Sequence, residues 1–199
     1  MRQLLKKLLT QQQKHQPLTQ SNTWLIVGLG NPGPNYASNR HNIGQQVLDV
    51  MAEKQNLKFK SHKTGSLVAE YSTHPQKLIL AKSQGFMNLS GSPVQKLLQF
   101  YSIPLERLVV IHDELDIEFG ELRKKFDGGH AGHNGLRDIS AKCGSGYHRV
   151  RFGIGRPPGQ MSVSDFVLQN FSSLERKELP VLIELAIDHV LEITTPKTA

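Results

Sequence analysis

Short apolar runs alternate with longer amphipathic segments from Thr23 to the end of the chain, and that alternation leaves few folds open. The runs Trp24–Leu29, Ser66–Tyr71, Leu78–Lys82, Leu108–His112, Leu122–Lys125 and Val150–Ile154 read as strands. Asn42–Gln55, Ser92–Tyr101, Gly135–Cys143 and Leu174–Ile193 read as helices. In the last helix Leu179, Leu182, Ile183, Ala186, Ile187, Val190 and Leu191 share one stripe, which predicts packing on a core. The order predicts one α/β domain: a twisted mixed sheet, largely parallel, with helices on both faces. A chain of 199 residues can bury a sizeable core in one such domain and is short for two. No internal repeat or linker divides it.

Residues 1–22 stand apart from this pattern as a basic N-terminal extension, with the domain expected over 23–199. Leu4, Leu5, Leu8 and Leu9 recur at helical spacing beside Lys6 and Lys7, and no acidic residue occurs before Asp49. Of the net charge of +7, the extension supplies +4 through Arg2, Lys6, Lys7 and Lys14. An appendage, an RNA-touching arm and an organelle address are all compatible with it. The overall basicity suits an anionic partner such as nucleic acid. No apolar run is long enough to span a bilayer, so no membrane partner is expected. The single cysteine, Cys143, cannot form an internal disulfide; a reducing, cytoplasmic setting and an unreactive packed thiol are the expectation.

The first strand runs into Gly28-Leu29-Gly30-Asn31-Pro32-Gly33-Pro34-Asn35-Tyr36 and then Asn39-Arg40-His41-Asn42. A Gly/Pro/Asn loop after a buried strand lies at the rim of a sheet, where α/β proteins build sites. His41 can hold or release a proton near neutral pH and so serve as a general base. The surrounding asparagines donate and accept hydrogen bonds without charge. Together they suit hydrolysis of a polar, uncharged bond. Gly28, Gly30 and Gly33 also match a dinucleotide fingerprint, but Pro32 and Pro34 keep a helix from opening there, and Asp49 and Glu53 fall inside a helix.

Three further clusters flank strands or helices: Phe86–Gly91, Ile111–Asp116 and Gly128–Gly135. Their histidines His112, His130 and His133, with Asp113, have a spacing at which metal ligands occur, although the glycines between them make a poor cage.

Taken together, the motifs G-L-G-N-P-G, R-H-N-I-G, F-M-N-L-S-G, H-D-E-L-D, G-H-N-G-L and R-V-R-F-G-I-G-R-P resemble bacterial-type peptidyl-tRNA hydrolases. The resemblance runs in family order from Leu25 to about Val167. One departure is Gly85, where the family commonly carries threonine. The resemblance implies hydrolysis of the ester between peptide and tRNA by a monomer, with no cofactor and no metal. It implies His41 as general base, Asp113 as the group that orients it, and Asn31 as the residue that tells a blocked amino group from a free one. It places Met87, Asn88, Asn134 and His133 in the substrate cleft. It sets Tyr36 and Phe86 near the terminal nucleotide, and Lys125 with Arg151 on the 5′ phosphate, so the partner is the acceptor end of peptidyl-tRNA. Arg123, Lys124, Arg137, Lys142, Arg149 and Arg156 would extend the basic face. A catalytically idle RNA-splicing scaffold of the same fold is the rival; a scaffold has no need of His41, Asp113 and three asparagines.

Overall fold

The computed structural model describes residues 22–73 and 75–195. The basic extension before residue 22 lies outside them. Strands β1 (Thr23–Gly28), β2 (Lys60–His62), β3 (Ser66–Thr73), β4 (Gln76–Ser83), β5 (Leu108–Glu114), β6 (Leu122–Phe126) and β7 (His148–Gly153) form one seven-stranded sheet. Its order is β2-β3-β4-β1-β5-β7-β6. The central strands β4, β1, β5 and β7 run parallel, and β3, β2 and β6 pair antiparallel at the margins.

The helices are α1 (Ile43–Lys54), α2 (Gly91–Phe100), α3 (Asn134–Cys143), α4 (Val163–Val167) and α5 (Glu175–Thr194). Side-chain alternation along the central strands divides the core in two. Ile26, Leu78, Leu80, Val109, Ile111, Val150 and Phe152 pack with α1 and α5 on one face. Leu25, Val27, Ile79, Ala81, Leu108 and Val110 pack with α2 and α3 on the other. Two-sided burial explains why these strands read as continuous apolar runs. Each fully buried Leu or Ile there contributes about 1.5–3 kcal/mol.

The expected architecture is present. The sequence reading omitted β2 and α4. Lys60-Ser61-His62 shows no apolar alternation, and five residues are too few for a helical period. The stripe on α5 holds except at Leu191, which is exposed, while Thr194 is buried in its place. Among the described residues no helix is long and apolar enough to cross a membrane.

The topology fixes where a site can form. The chain leaving β1 passes along one face through α1; the chain leaving β5 returns along the other through α3. β1 and β5 are neighbours whose connections diverge, so a crevice opens beyond their carboxyl ends. The first turn of α1 packs directly on this end. A Cβ on Gly44 would lie 2.3 Å from the Ile111 carbonyl oxygen, and one on Gly28 would lie 2.2 Å from that of Gly44. These glycines serve helix-on-strand contact, not a dinucleotide, and α1 opens well after Gly33.

Candidate active site

Four connections meet at the crevice. His41 lies in a single 3₁₀ turn, Arg40–Asn42, that leads into α1. That turn is clamped by Arg40, which is buried, donates from Nη2 to both carboxylate oxygens of Glu175 at 3.1 and 2.8 Å, and donates from Nη1 to the Asn170 carbonyl at 2.8 Å. Its guanidinium also stacks over the Phe166 ring at 4.4 Å. The start of α5 therefore sets the position of the His41 turn, a role for Arg40 that the motif alone did not reveal.

Asp113 is the penultimate residue of β5, one step further along the strand than the apolar pattern reached. His41 Nδ1 lies 2.8 Å from Asp113 Oδ1, and His133 Nε2 lies 3.1 Å from the same oxygen. Two ring nitrogens converging on one carboxylate oxygen must both donate to it. For His133 this is independently fixed. It caps α3, its Nδ1 accepting from the amides of Gly135 at 3.1 Å and Leu136 at 3.4 Å, so its proton sits on Nε2. For His41 the consequence is that Nδ1 carries hydrogen and Nε2 keeps a lone pair. Burial alone would lower the His41 pKa, but the adjacent Asp113 charge and its hydrogen bond outweigh it and raise the value above the ordinary 6.5. Burial would lift the Asp113 carboxyl, yet the His41 and His133 rings more than compensate and hold it well below the usual carboxylate range.

Beneath the pair lies His112, with only 1 % of its surface exposed. Its Nδ1 donates to the Asp113 carbonyl oxygen at 2.7 Å, and its Nε2 has no partner among the described residues. Burial, then the neighbouring His133, pushes its pKa down to about 3, so it is a neutral packing group at physiological pH.

Asn31 is oriented from two sides. Asn42 brackets its backbone, accepting from its amide at 3.0 Å and donating to its carbonyl at 2.8 Å. The Met87 amide donates to Asn31 Oδ1 at 2.9 Å. With Oδ1 committed, the free end of the side chain is the Nδ2 donor. Met87 is buried and packs so closely on α3 that a Cβ on Gly135 would lie 2.6 Å from its sulfur. Asn42 carried no assigned role in the sequence; its buried double bridge is what tertiary contact adds.

A cavity of about 330 Å³ is lined by His41, Asp113, His133, Asn134, Arg156 and Val167, among others. Asn134 begins α3 and accepts from Arg137. Asn88 stands exposed in the 3₁₀ turn Met87–Leu89, outside this cavity. Tyr36 and Phe86 meet edge to face at 6.4 Å, and Phe86 is 54 % exposed.

The cations sort themselves by strand register. Lys125 lies opposite Arg149 and Arg123 opposite Arg151, so Lys125 and Arg151 are diagonal neighbours on one sheet face. Arg151 Nε is held at 3.0 Å by the buried Glu114 carboxylate, and Lys125 is exposed. The wider basic track is narrower than the sequence suggested. Arg149 is buried, its guanidinium holding the Gly128 and Gly129 carbonyls, and Lys124 faces away to pair with Glu192.

His41, Asp113 and His133 form a group that could ligate an ion. The separations of 2.8 and 3.1 Å are those of hydrogen bonds, shorter than the roughly 3.3 Å between ligands of a tetrahedral zinc. His112 and His130, whose spacing with His133 is one at which metal ligands occur, are engaged otherwise: His112 points its Nδ1 at a backbone carbonyl, and His130 Nδ1 accepts from the Gly132 amide. Cys143 ends α3, and burial, then Asp138, pushes its thiol up to about 11, far from a reactive thiolate.

A parallel-centred sheet with a buried His–Asp pair and amide side chains near its switch point is the arrangement of an α/β enzyme suited to hydrolysis. Comparison with known proteins narrows this. A family described as Peptidyl-tRNA hydrolase matches residues 25–199, and the chain belongs to that family. A peptidyl-tRNA hydrolase of Leifsonia xyli subsp. xyli is 55 % identical over 173 residues, covering 85 % of this chain and 90 % of its own. One from Streptomyces coelicolor is 54 % identical over 173 residues, covering 84 % and 86 %. A crystal structure of a mutant peptidyl-tRNA hydrolase from Acinetobacter baumannii superimposes with a TM-score of 0.78 at 39 % identity, covering 87 % of this chain and 88 % of that one.

Proposed function

We propose that the protein hydrolyses the ester joining a peptide to the terminal ribose of tRNA, and so returns tRNA from peptides released prematurely in translation. The observation that carries the reading is the His41–Asp113 pair at 2.8 Å, which leaves His41 Nε2 as the available base at the cavity. His41 Nε2 takes a proton from water as the oxygen attacks the ester carbonyl. Asp113 stabilises the imidazolium that forms and does not itself take the proton. Asparagine amides, Asn31 and Asn134 foremost, with Asn88 at the rim, supply donors to the carbonyl oxygens as charge develops. As the tetrahedral intermediate collapses and the bond from the acyl carbon to the ribose oxygen breaks, the imidazolium gives its proton to that oxygen, releasing the peptide acid and tRNA with a free ribose hydroxyl.

Asn31 discriminates through donor geometry. Its uncommitted Nδ2 pairs with the carbonyl of a peptide group, whereas the ammonium of a free aminoacyl ester has no lone pair to offer it. Tyr36 and Phe86 provide stacking surfaces for the terminal nucleotide. Lys125 and Arg151 bind the 5′ phosphate, with Met87 and His133 shaping the cleft. In this reading the protein acts as a monomer, and no step calls for a metal or cofactor. The splicing-scaffold reading is favoured by no observation.

The test is release of peptide from an N-blocked aminoacyl-tRNA by the purified protein. Turnover by the parent and a loss of about 10²–10⁴-fold in His41→Ala are expected. Retention of parental rates by the variant, or abolition of activity by a chelator, overturns this mechanism.

A further inference from the structure

A track of cavities leads from Asn31 away from the His41–Asp113 cleft. A cavity of about 360 Å³ lies against Asn31 and reaches Asp49, Lys82 and Gln84. It shares Asp49 with one of about 310 Å³ under Phe59, which in turn shares Asn56, Leu57 and Lys58 with one of about 660 Å³ walled by His62, Glu70 and Tyr101.

In the walls of this track and beside its far end, cations pair with aromatic rings. The Lys82 ammonium sits 4.4 Å from the centre of the Phe59 ring, and that of Lys63 sits 4.6 Å from the Phe100 ring. His62 meets Phe100 edge-on at 4.8 Å and lies nearly parallel to Tyr101 at 6.0 Å. Phe100, at the end of α2, remains 49 % exposed. Two acids of the track are engaged, Asp49 by Lys82 and Glu70 by Lys77 and Tyr101; the third, Glu53, is exposed and makes no ion pair among the described residues. Lys58, Lys60 and Lys63 are exposed and make no ion pair among the described residues. Three such lysines against the one free carboxylate leave the balance positive, and they stand near Phe100, whose ring is half exposed, and near Tyr101, which packs on the core only in part.

We propose that this track is a second nucleic-acid surface that binds single-stranded RNA, with phosphates on Lys58, Lys60 and Lys63 and bases on His62, Phe100 and Tyr101. Cations alone would serve any polyanion. Rings in and beside the groove, Phe100 being in contact with His62 and Tyr101, select a strand whose bases are unstacked and free to lie on them, because a duplex keeps its base faces hidden. Continuity with Asn31 leads the track from the place where the ester would sit. Binding here is independent of catalysis, so it can fail while ester hydrolysis stands, and the reverse.

The experiment uses the full chain and an oligouridylate of about twelve nucleotides carrying 4-thiouridine. Photo-crosslinking is expected in the peptides that contain His62 and Phe100–Tyr101. In fluorescence anisotropy, the triple variant Lys58→Ala/Lys60→Ala/Lys63→Ala should weaken binding at least tenfold near 0.1 M salt. It should also reduce the salt slope by about two units, about 0.7 for each of the lysines lost. Phe100→Ala, which leaves charge unchanged, should weaken it about fivefold or more. Circular dichroism checks that both variants fold, which surface positions permit. Crosslinks confined to residues 123–156, or unchanged binding by the triple variant, overturn the proposal. So does a polyglutamate of equal length that displaces the RNA and is insensitive to Phe100→Ala, since that result marks an acidic-peptide surface.

Discussion

Asp113→Asn separates the geometry of the His41 pair from its charge. An asparagine Oδ1 can accept from His41 Nδ1 and His133 Nε2 as the carboxylate oxygen does, so the hydrogen bonds at 2.8 and 3.1 Å can persist. What is lost is the negative charge beside a developing imidazolium. At about 4 Å between charge centres and an effective dielectric of about 20, that charge contributes roughly 4 kcal/mol. A transition state with about half of the proton transferred forfeits about 2 kcal/mol, and complete transfer the whole of it. Turnover should therefore fall by about 30- to 1000-fold, at roughly 1.4 kcal/mol per decade.

The pH profile gives a sharper readout. Hydrolysis needs neutral His41, so kcat/KM rises with pH through the His41 pKa of the free enzyme. In the parent that value is raised above 6.5, because Asp113 outweighs burial. With the charge removed, burial is the remaining influence, and it lowers the pKa. The rising limb should move from above 6.5 to below it even as the plateau drops. The assay is kcat/KM on N-blocked aminoacyl-tRNA across pH 5–8.5, a span of about 3.5 units around the histidine range. A limb that stays in place while the plateau falls would refute the assignment of Asp113 as the group that raises His41. A rate equal to the parent would refute the pair altogether.

Three other outcomes follow from the structure. His112 is held neutral with its pKa pushed down to about 3, so between pH 3 and 6.5 the unfolded chain binds a proton that the folded one refuses. Stability then falls as pH falls through that window, by up to about 1.4 kcal/mol per pH unit, or about 3–5 °C in Tm. Calorimetry should find that part of the slope missing in His112→Asn, with the rest retained through His148 and His189, which burial also holds down. Gly44→Ala would set a Cβ 2.3 Å from the Ile111 carbonyl oxygen and 2.6 Å from the Leu29 amide nitrogen, both of them backbone atoms. A loss of about 1–3 kcal/mol and a drop of several degrees in Tm are expected, together with reduced turnover as the His41 turn shifts; an unaltered Tm would mean the contact relaxes freely. Lys125→Ala should leave Tm unchanged and reduce the salt slope of tRNA binding by about one unit. Arg151→Ala should also lower Tm, because it strips the buried Glu114 of its cation, and equal Tm values for the two would contradict that difference.

Gly85 stands where the resembling family commonly carries threonine. A Cβ there would meet only Ser83 Oγ at 3.7 Å and Leu89 Cβ at 3.8 Å, both ordinary contacts. The glycine is not demanded by space, and nothing in the structure explains why threonine is absent.

The sequence by itself determined the layers of this protein. Two-sided burial writes the central strands as unbroken apolar runs, and one-sided burial writes α1, α2, α3 and α5 as stripes, because each side chain's fate follows from a period of two or of 3.6. It also set His41 apart, in a Gly/Pro/Asn loop after a buried strand, while Asn31 and Asp113 were singled out only by the resemblance of their motifs to a known family. Short elements escaped it. β2 and α4 are held by their neighbours, and their few residues carry no period. Only tertiary structure decided that His133, from the start of α3, would share the Asp113 oxygen with His41 from the start of α1, which fixes both tautomers. The same holds for Arg40 reaching Glu175 across the chain and for Asn42 bridging Asn31. It also turned Lys124 to the opposite side of the sheet from Lys125, toward Glu192. These are facts of register and of approach between residues distant in sequence, and local chemistry does not encode which of several histidines, arginines or lysines will meet which partner.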